Sequence, residues 1–255
     1  MPLLFDPGER WNYGINIDWA GQMVEAVSGQ SLGEYLRQNI FEPLEMNSSG
    51  YSPNGNMTAR QAGMHLRGSD GELFIPENAE PPPEREFDTG GMGLFSTMQD
   101  YARFLGIFLN QGFHDGRQIL LPDTVAMMSA DQMGENRVTP LKSVMPPYTN
   151  DVEFFPGIEK GWGLSFMINL SQAAPGRSAG SLSWAGLSNL YYWIDPARNI
   201  AGVYGTQIFP FGDKLSLPLY LDFETAVYET LLRTNPPLLT NSRRSMLTAE
   251  ISFQS

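Results

Sequence analysis

The chain has 255 residues, 42% of them hydrophobic, a formal net charge of -12 and no cysteine. That hydrophobic content suits one large domain or two modest ones and excludes a wholly disordered chain, while the negative charge, with arginines scattered singly except at Arg243–Arg244, excludes a phosphate-binding stripe and so nucleic acid as a partner. Disulfides and thiolate chemistry are ruled out, and no window approaches the roughly 20 apolar residues of a membrane-spanning helix.

The opening Met1-Pro-Leu-Leu-Phe has neither the basic nor the apolar region of a secretory signal, so the compartment stays undetermined. Past the Asp6-Pro7-Gly8 loop, Ile17, Ala20, Val24 and Val27 recur at helical spacing and Gly29 follows as a stop, which predicts an amphipathic helix. Ser31 and Glu34 have the spacing of a capping box for a second helix, Leu32 to Phe41, ended by Pro43. Residues 47 to 89 are rich in Gly, Pro, Asn and Ser, with Pro81-Pro82-Pro83 at their most rigid, and predict an irregular surface excursion. Ser96 or Thr97 then caps a helix with the stripe Tyr101, Phe104, Leu105, Phe108 and Leu109, stopped by Gly112. Pro122 opens another, with Val125 and Met128 inward.

Beyond Pro156-Gly157 the hydrophobic period changes. Residues 161–170, 181–194 and 199–209 are β-branched and aromatic runs split by turn residues, which predict three antiparallel strands. A last amphipathic helix covers 217–232, and the polar tail at 235–255 is expected to be disordered. The expected organisation is a loop at 1–16, a mostly helical lobe at 17–155, strands and a C-terminal helix at 156–234, and the tail. Nothing in the pattern fixes an oligomeric state.

The residue inventory narrows the chemistry. The two histidines, His65 and His114, lie far apart with no His-Glu-x-x-His spacing, so no metal site is expected. A Ser-His-Asp triad lacks a Gly-x-Ser-x-Gly elbow to present its serine. What remains is serine chemistry managed by Lys or Tyr, and it calls for no cofactor.

Several motifs then occur in one order: Pro7-Gly-Glu-Arg-Trp-Asn-Tyr13-Gly14, Val-Ser-Gly-Gln-Ser-Leu…Ile-Phe-Glu-Pro-Leu-Glu-Met46, Gly90-Gly-Met-Gly-Leu-Phe-Ser-Thr97, Gly161-Trp-Gly-Leu164 and Trp184-Ala185-Gly186. Together they resemble the serine β-lactamase-like superfamily, of the class C β-lactamase and family VIII carboxylesterase type. The resemblance implies an α+β fold of the β-lactamase/transpeptidase kind, a helical lobe beside an antiparallel sheet flanked by helices, and a bacterial source. It gives Tyr13 the role of the catalytic tyrosine, and a phenol is a base at neutral pH only where neighbours stabilise its phenolate. It makes Trp184, Ala185 and Gly186 the substrate-binding strand and the backbone N–H of Leu187 an oxyanion donor. Ile15 stands where class C lactamases have a substrate-gripping amide, and Trp184 replaces a lysine. Both departures weaken carboxylate recognition and point to a neutral small-molecule ester or amide. A β-lactamase, a D-Ala-D-Ala peptidase and an acyltransferase stay open as alternatives within the class.

The resemblance also exposes a gap. The chain's three lysines, Lys142, Lys160 and Lys214, follow Thr139, Gly157 and Phe211 at the third position before them, so no Ser-x-x-Lys exists. Thr139-Pro140-Leu141-Lys142 is no substitute, because Pro140 sits where a helix would have to run. The chain is therefore expected to lack the family's N-terminal helix, two strands and the Ser-x-x-Lys helix, and to be inactive by itself. The contrasting expectation is a catalytically dead relative that binds ligands in the same cleft.

Overall fold

A computed structural model describes residues 3–75, 86–174 and 176–234, without the side chains of residues 232 and 234. The expected disordered tail, the Pro81–Pro83 run and Pro175 lie outside these residues.

Helix α1, Asn16–Ser28, forms as the spacing predicts and ends where Gly29 adopts φ 70° and donates its N–H to Glu25 O at 2.9 Å. Its packing side differs from the expected stripe. Val27 is 89% exposed, whereas Gly21 is buried against Leu32 and the backbone of Gly90. Contact on this helix is set by how close a backbone can come, and hydrophobic spacing does not report that.

The side chain of Ser31 accepts the Glu34 N–H at 3.2 Å and opens α2, Leu32–Leu36. Glu34 does not close the capping box, because its carboxylate is held by Arg37, with Arg37 Nε donating at 2.9 Å. The expected single helix to Phe41 changes character halfway. Arg37–Phe41 is a π-helical turn closed by Glu42 N–H to Arg37 O at 2.9 Å, and Phe41 at its end is buried together with Leu44 and Met46 beyond it.

The excursion over 47–89 is more structured than its composition suggests. It carries α3, Gly55–Ala59, capped by Asn54, and a hairpin of β1, His65–Arg67, with β2, Leu73–Phe74. Strand β1 also pairs in parallel with β10, Ile208–Phe209. Strands of two or three residues leave too short a pattern to read, and this partner lies some 140 residues away in sequence.

Helix α4, Met98–Leu109, is capped by Thr97, whose hydroxyl accepts the Asp100 N–H at 3.1 Å. Gly112 takes φ 81° just beyond it. His114 lies in the hairpin β3, Phe113–His114, and β4, Arg117–Gln118. Helix α5, Pro122–Ser129, follows with Val125 buried.

The main sheet has five strands, where the aromatic runs predicted three. They are β5, Lys160–Trp162, β6, Met167–Asn169, β7, Leu182–Gly186, β8, Leu190–Asp195, and β9, Ile200–Tyr204, antiparallel in sequence order. Two of the expected strands each fold back on themselves, at Ser165 (φ 75°) and at Asn189 (φ 60°). The third run splits between β9 and β10, which joins the other sheet. Asn is among the few non-glycine residues that tolerate the left-handed region.

Residues alternate between two cores across the sheet. On one side Ile168, Leu182 and Ile194 pack with Leu105, Ile107 and Phe108 of α4. On the other, Tyr191 and Trp193 pack with Tyr220 and Tyr228 of α6, Ser216–Thr234. A Cβ at Gly202 would lie 2.1 Å from the Trp193 ring, so only glycine fits beneath that indole.

Polar bonds tie α6 down. Arg177 and Glu224 are fully buried and form a bidentate pair, with Arg177 Nη2 at 2.8 Å from Glu224 Oε2. Asp213 accepts the N–H groups of Leu215 and Ser216 at the head of the helix and is paired with Arg67. Burial would raise the Asp213 carboxyl, but Arg67 and the two backbone donors outweigh it and hold the group below its ordinary value.

Two outcomes follow. Glu224→Ala leaves Arg177 buried without its anion and should lower stability by about 3–5 kcal/mol in urea unfolding, whereas replacing both partners with apolar residues of similar volume should cost less. Because the folded-state pKa of Asp213 is depressed, its contribution is present above the unfolded value and is lost as pH falls through the folded one. Arg67→Ala should therefore flatten part of the acid limb of a stability-against-pH curve.

Candidate active site

Trp11 and Tyr13 lie in the loop before α1, and a chain of contacts fixes that loop. Asn136 Nδ2 donates to Gly8 O at 3.0 Å. Asp18 Oδ1 accepts the N–H of Gly91 at 2.8 Å, and a Cβ at Gly90 would sit 2.2 Å from Ile17 O. The Gly90-Gly91 pair thus lies directly on the first turn of α1, a physical reason for glycine in that motif.

Tyr13, 49% exposed, meets β7. The indole N–H of Trp184 donates to the Tyr13 hydroxyl at 3.4 Å across 171 residues of sequence, and the ring centroids are 4.9 Å apart at 52°. Trp162 stands edge-on to Trp184 at 4.5 Å, Trp11 packs on Trp162 at 5.6 Å and Phe154 lies 6.1 Å from Trp184. Trp11 and Tyr13, two residues apart, each take one of the strand tryptophans.

The remaining expected residues fall as follows. Gly186 ends β7, where a Cβ would come within 3.0 Å of the Leu190 side chain. Leu187 follows it in the turn, 51% exposed. Ile15 is the N-cap of α1, half exposed, with no side-chain cap bond. Ala185, between Trp184 and Gly186 on β7, is partly buried and packs against the cluster of Tyr191 and Trp193, as Phe154 does.

The turn that carries Leu187 is held by Asn189, which is fully buried. Its side-chain amide donates to Ile208 O at 2.8 Å and Pro210 O at 2.9 Å, and its Oδ1 accepts from the Tyr191 hydroxyl at 2.7 Å and the Asp213 N–H at 3.0 Å. Ser188 O takes the Thr206 hydroxyl at 2.8 Å. Asn189, Trp162 and Phe154 were not singled out by the sequence reading. Trp162 belongs to the Gly161-Trp-Gly-Leu164 motif, and Asn189 is a turn residue inside an aromatic run.

The ionisable groups around the aromatic cluster are perturbed by burial. Tyr192, paired with Trp184 across the β7–β8 ladder, has its phenol raised well above the ordinary value by burial and by Tyr101, and Tyr101 is pushed up to about 12 by burial. Both stay protonated at neutral pH. Lys160 is buried, donates to Phe154 O at 2.8 Å, and is lowered by burial against the opposing pull of Glu153. His65 meets Gly63 O through Nδ1 at 2.9 Å, and His114 faces Asp115 at 3.8 Å. Among the described residues no three His, Cys, Asp or Glu side chains converge as a metal site, and no helix is long and apolar enough to cross a membrane.

The Beta-lactamase family model matches residues 1–226. The chain is 31% identical over 235 residues to monacolin J acid methylbutanoyltransferase of Aspergillus terreus, covering 89% of this chain and 56% of that protein. It is 30% identical to lovastatin esterase of Penicillium rubens, covering 89% and 58%. Among solved structures, unliganded simvastatin synthase from Aspergillus terreus superimposes with a TM-score of 0.77 at 29% identity, over 90% of this chain and 58% of that one. The chain thus spans somewhat over half the length of the relatives it matches. These relatives are fungal and lend no support to a bacterial source. On the extent of the family match, the chain belongs to the β-lactamase family and has the α+β fold of its acyltransferases and esterases.

Proposed function

We propose that this chain supplies the tyrosine and the oxyanion strand of a serine acyl-transfer enzyme acting on neutral small-molecule esters. The observation that carries this reading is the meeting of Tyr13 with Trp184, because groups that share one reacting atom must converge from distant segments. The named relatives, a methylbutanoyltransferase and an esterase, support acyl transfer to an alcohol or to water.

In the proposed reaction a serine oxygen attacks the ester carbonyl. Tyr13, as a phenolate stabilised by the lysine of the Ser-x-x-Lys segment, takes the serine proton and passes it to the departing alkoxide, leaving an acyl-enzyme that water or a second alcohol cleaves. The Leu187 N–H stabilises the developing oxyanion, Gly186 lets the acyl group approach, and Trp184 and Ile15 form the wall beside it. Neither Trp184 nor Ile15 carries a cation to greet a β-lactam carboxylate. The cleft is taken to lie between a helical lobe at 17–155 and a sheet lobe at 156–234. The 255 residues hold no Ser-x-x-Lys, so the nucleophile is assigned to a segment outside them, and the chain alone is read as inactive.

The 255-residue chain should turn over neither p-nitrophenyl butyrate nor a chromogenic cephalosporin above background. Extended by a Ser-x-x-Lys segment, it should gain esterase activity, react with a fluorophosphonate and prefer esters to β-lactams. Tyr13→Phe in that active form should lower kcat by about 100-fold or more with KM little changed. Turnover by the bare chain that survives Tyr13→Phe would refute the assignment. Ligand binding without turnover in the extended form would favour the non-catalytic relative.

A further inference from the structure

We infer that a cavity between Arg177 and β7 binds one water molecule, which accepts a hydrogen bond from Arg177 Nη1 and donates one to Ser183 Oγ. The bound water joins the anchor of α6 to the strand that carries Trp184. The inference is independent of the proposed reaction and of any nucleophile.

Arg177 is 1% exposed, yet its hydrogen bonds are spent on one side of the guanidinium. Nε and Nη2 donate to the Glu224 carboxylate, and Nη2 donates also to the Tyr220 hydroxyl. Nη1 is buried and has no hydrogen-bond partner among the described residues. The rings of Phe155 and Trp193, with centroids 4.6 Å and 6.0 Å from the guanidinium carbon, offer it no oxygen lone pair. A buried donor left in that state is costly, and more so on a charged group.

The space beside it suits one small acceptor. Arg177 and Ser183, with Met167, Tyr191 and Tyr220, line a cavity that leaves about 10 Å³ for the centre of a water-sized molecule. By that measure roughly 10–15 Å³ holds one water, provided that polar partners are present. Ser183 is 4% exposed, and its hydroxyl can accept as well as donate. Arg177 Nη1 and Ser183 Oγ therefore supply a donor and an acceptor to the same molecule.

Size and charge together select water. A polyatomic ligand exceeds the space of one water molecule. Arg177 is matched by Glu224, and Lys160, which donates to the carbonyls of Phe154 and Phe155 in the same wall, has Glu153 at 3.9 Å. With both cations matched, an ion of either sign would be an uncompensated buried charge. A metal cation would in addition be unable to accept from Nη1.

The two sides of the cavity lead to the same turn. Tyr220 stacks on Tyr191 at 4.8 Å, and the Tyr191 hydroxyl donates to Asn189. Ser183 lies one residue before Trp184 on β7. The water thus closes a polar circuit from α6 through Arg177 to the strand that ends at Gly186.

Oxygen-17 magnetic relaxation dispersion tests this on the full 255-residue chain, because it counts water molecules held inside a protein and does not register exchanging hydroxyl protons. Ser183→Val removes the hydroxyl and fills the cavity, so the dispersion should fall by one water molecule relative to the unaltered chain. Added sodium bromide should leave the dispersion of the unaltered chain unchanged. Near-ultraviolet circular dichroism reports whether the variant is folded. If it is not, a nuclear Overhauser effect from water to the methyl group of Met167, 2% exposed on the cavity wall, decides instead in the unaltered chain. That effect should carry the sign of a water held for longer than the protein takes to tumble. An unchanged dispersion in a folded Ser183→Val, loss of one water on adding bromide, or no effect at the Met167 methyl would overturn the proposal.

Discussion

The arrangement of the site depends on one buried side chain in the left-handed turn between β7 and β8. Asn189 uses both amide donors and its oxygen to bind Ile208 O, Pro210 O, the Tyr191 hydroxyl and the Asp213 N–H. A buried amide so fully satisfied has no cheaper alternative, since each lost partner would leave a desolvated polar atom. The turn is thereby locked to β10, to the head of α6 and, through Asp213, to Arg67 on β1. The Gly186–Leu187 backbone inherits that rigidity, and preorganised donors are what an oxyanion site requires.

The same logic of polar anchors behind an apolar face recurs one strand away. Lys160 and Arg177 are buried cations, each capped by carbonyls or a carboxylate, and between them they hold the loop that carries Phe154 and Phe155. Burial lowers the Lys160 ammonium but does not remove its partners. The aromatic cluster is therefore mounted on cations that already have their partners. Trp184 joins the two systems, since its ring packs with Trp162 and Phe154 while its N–H meets Tyr13.

Glycine does comparable work on the helical side. Gly21 and Gly90 let α1 and the 86–95 loop approach within backbone contact, and Gly91 donates to Asp18. The start of α1, and with it the Tyr13 loop, is thus positioned by close approach and one carboxylate. Val27, Trp19 and Met23 on this helix remain largely exposed.

What the sequence determined by itself is local or carried by ordered motifs. Ser31 and Thr97 cap helices, Pro122 begins one, Gly29 and Gly112 take positive φ, and aromatic runs mark the sheet, because each signal is written within a turn or two of backbone. The ordered motifs also named Tyr13 and Trp184, which the fold brings together. Tertiary structure alone decided the rest: that three aromatic runs make five strands, that β1 pairs with β10, that Asn189 locks the turn after β7, and that Trp162 and Phe154 pack on Trp184. These outcomes rest on contacts between residues tens to hundreds of positions apart, on turns whose residues also occur inside strands, and on the space left by absent side chains. Hydrophobic period and local propensity carry no record of any of these.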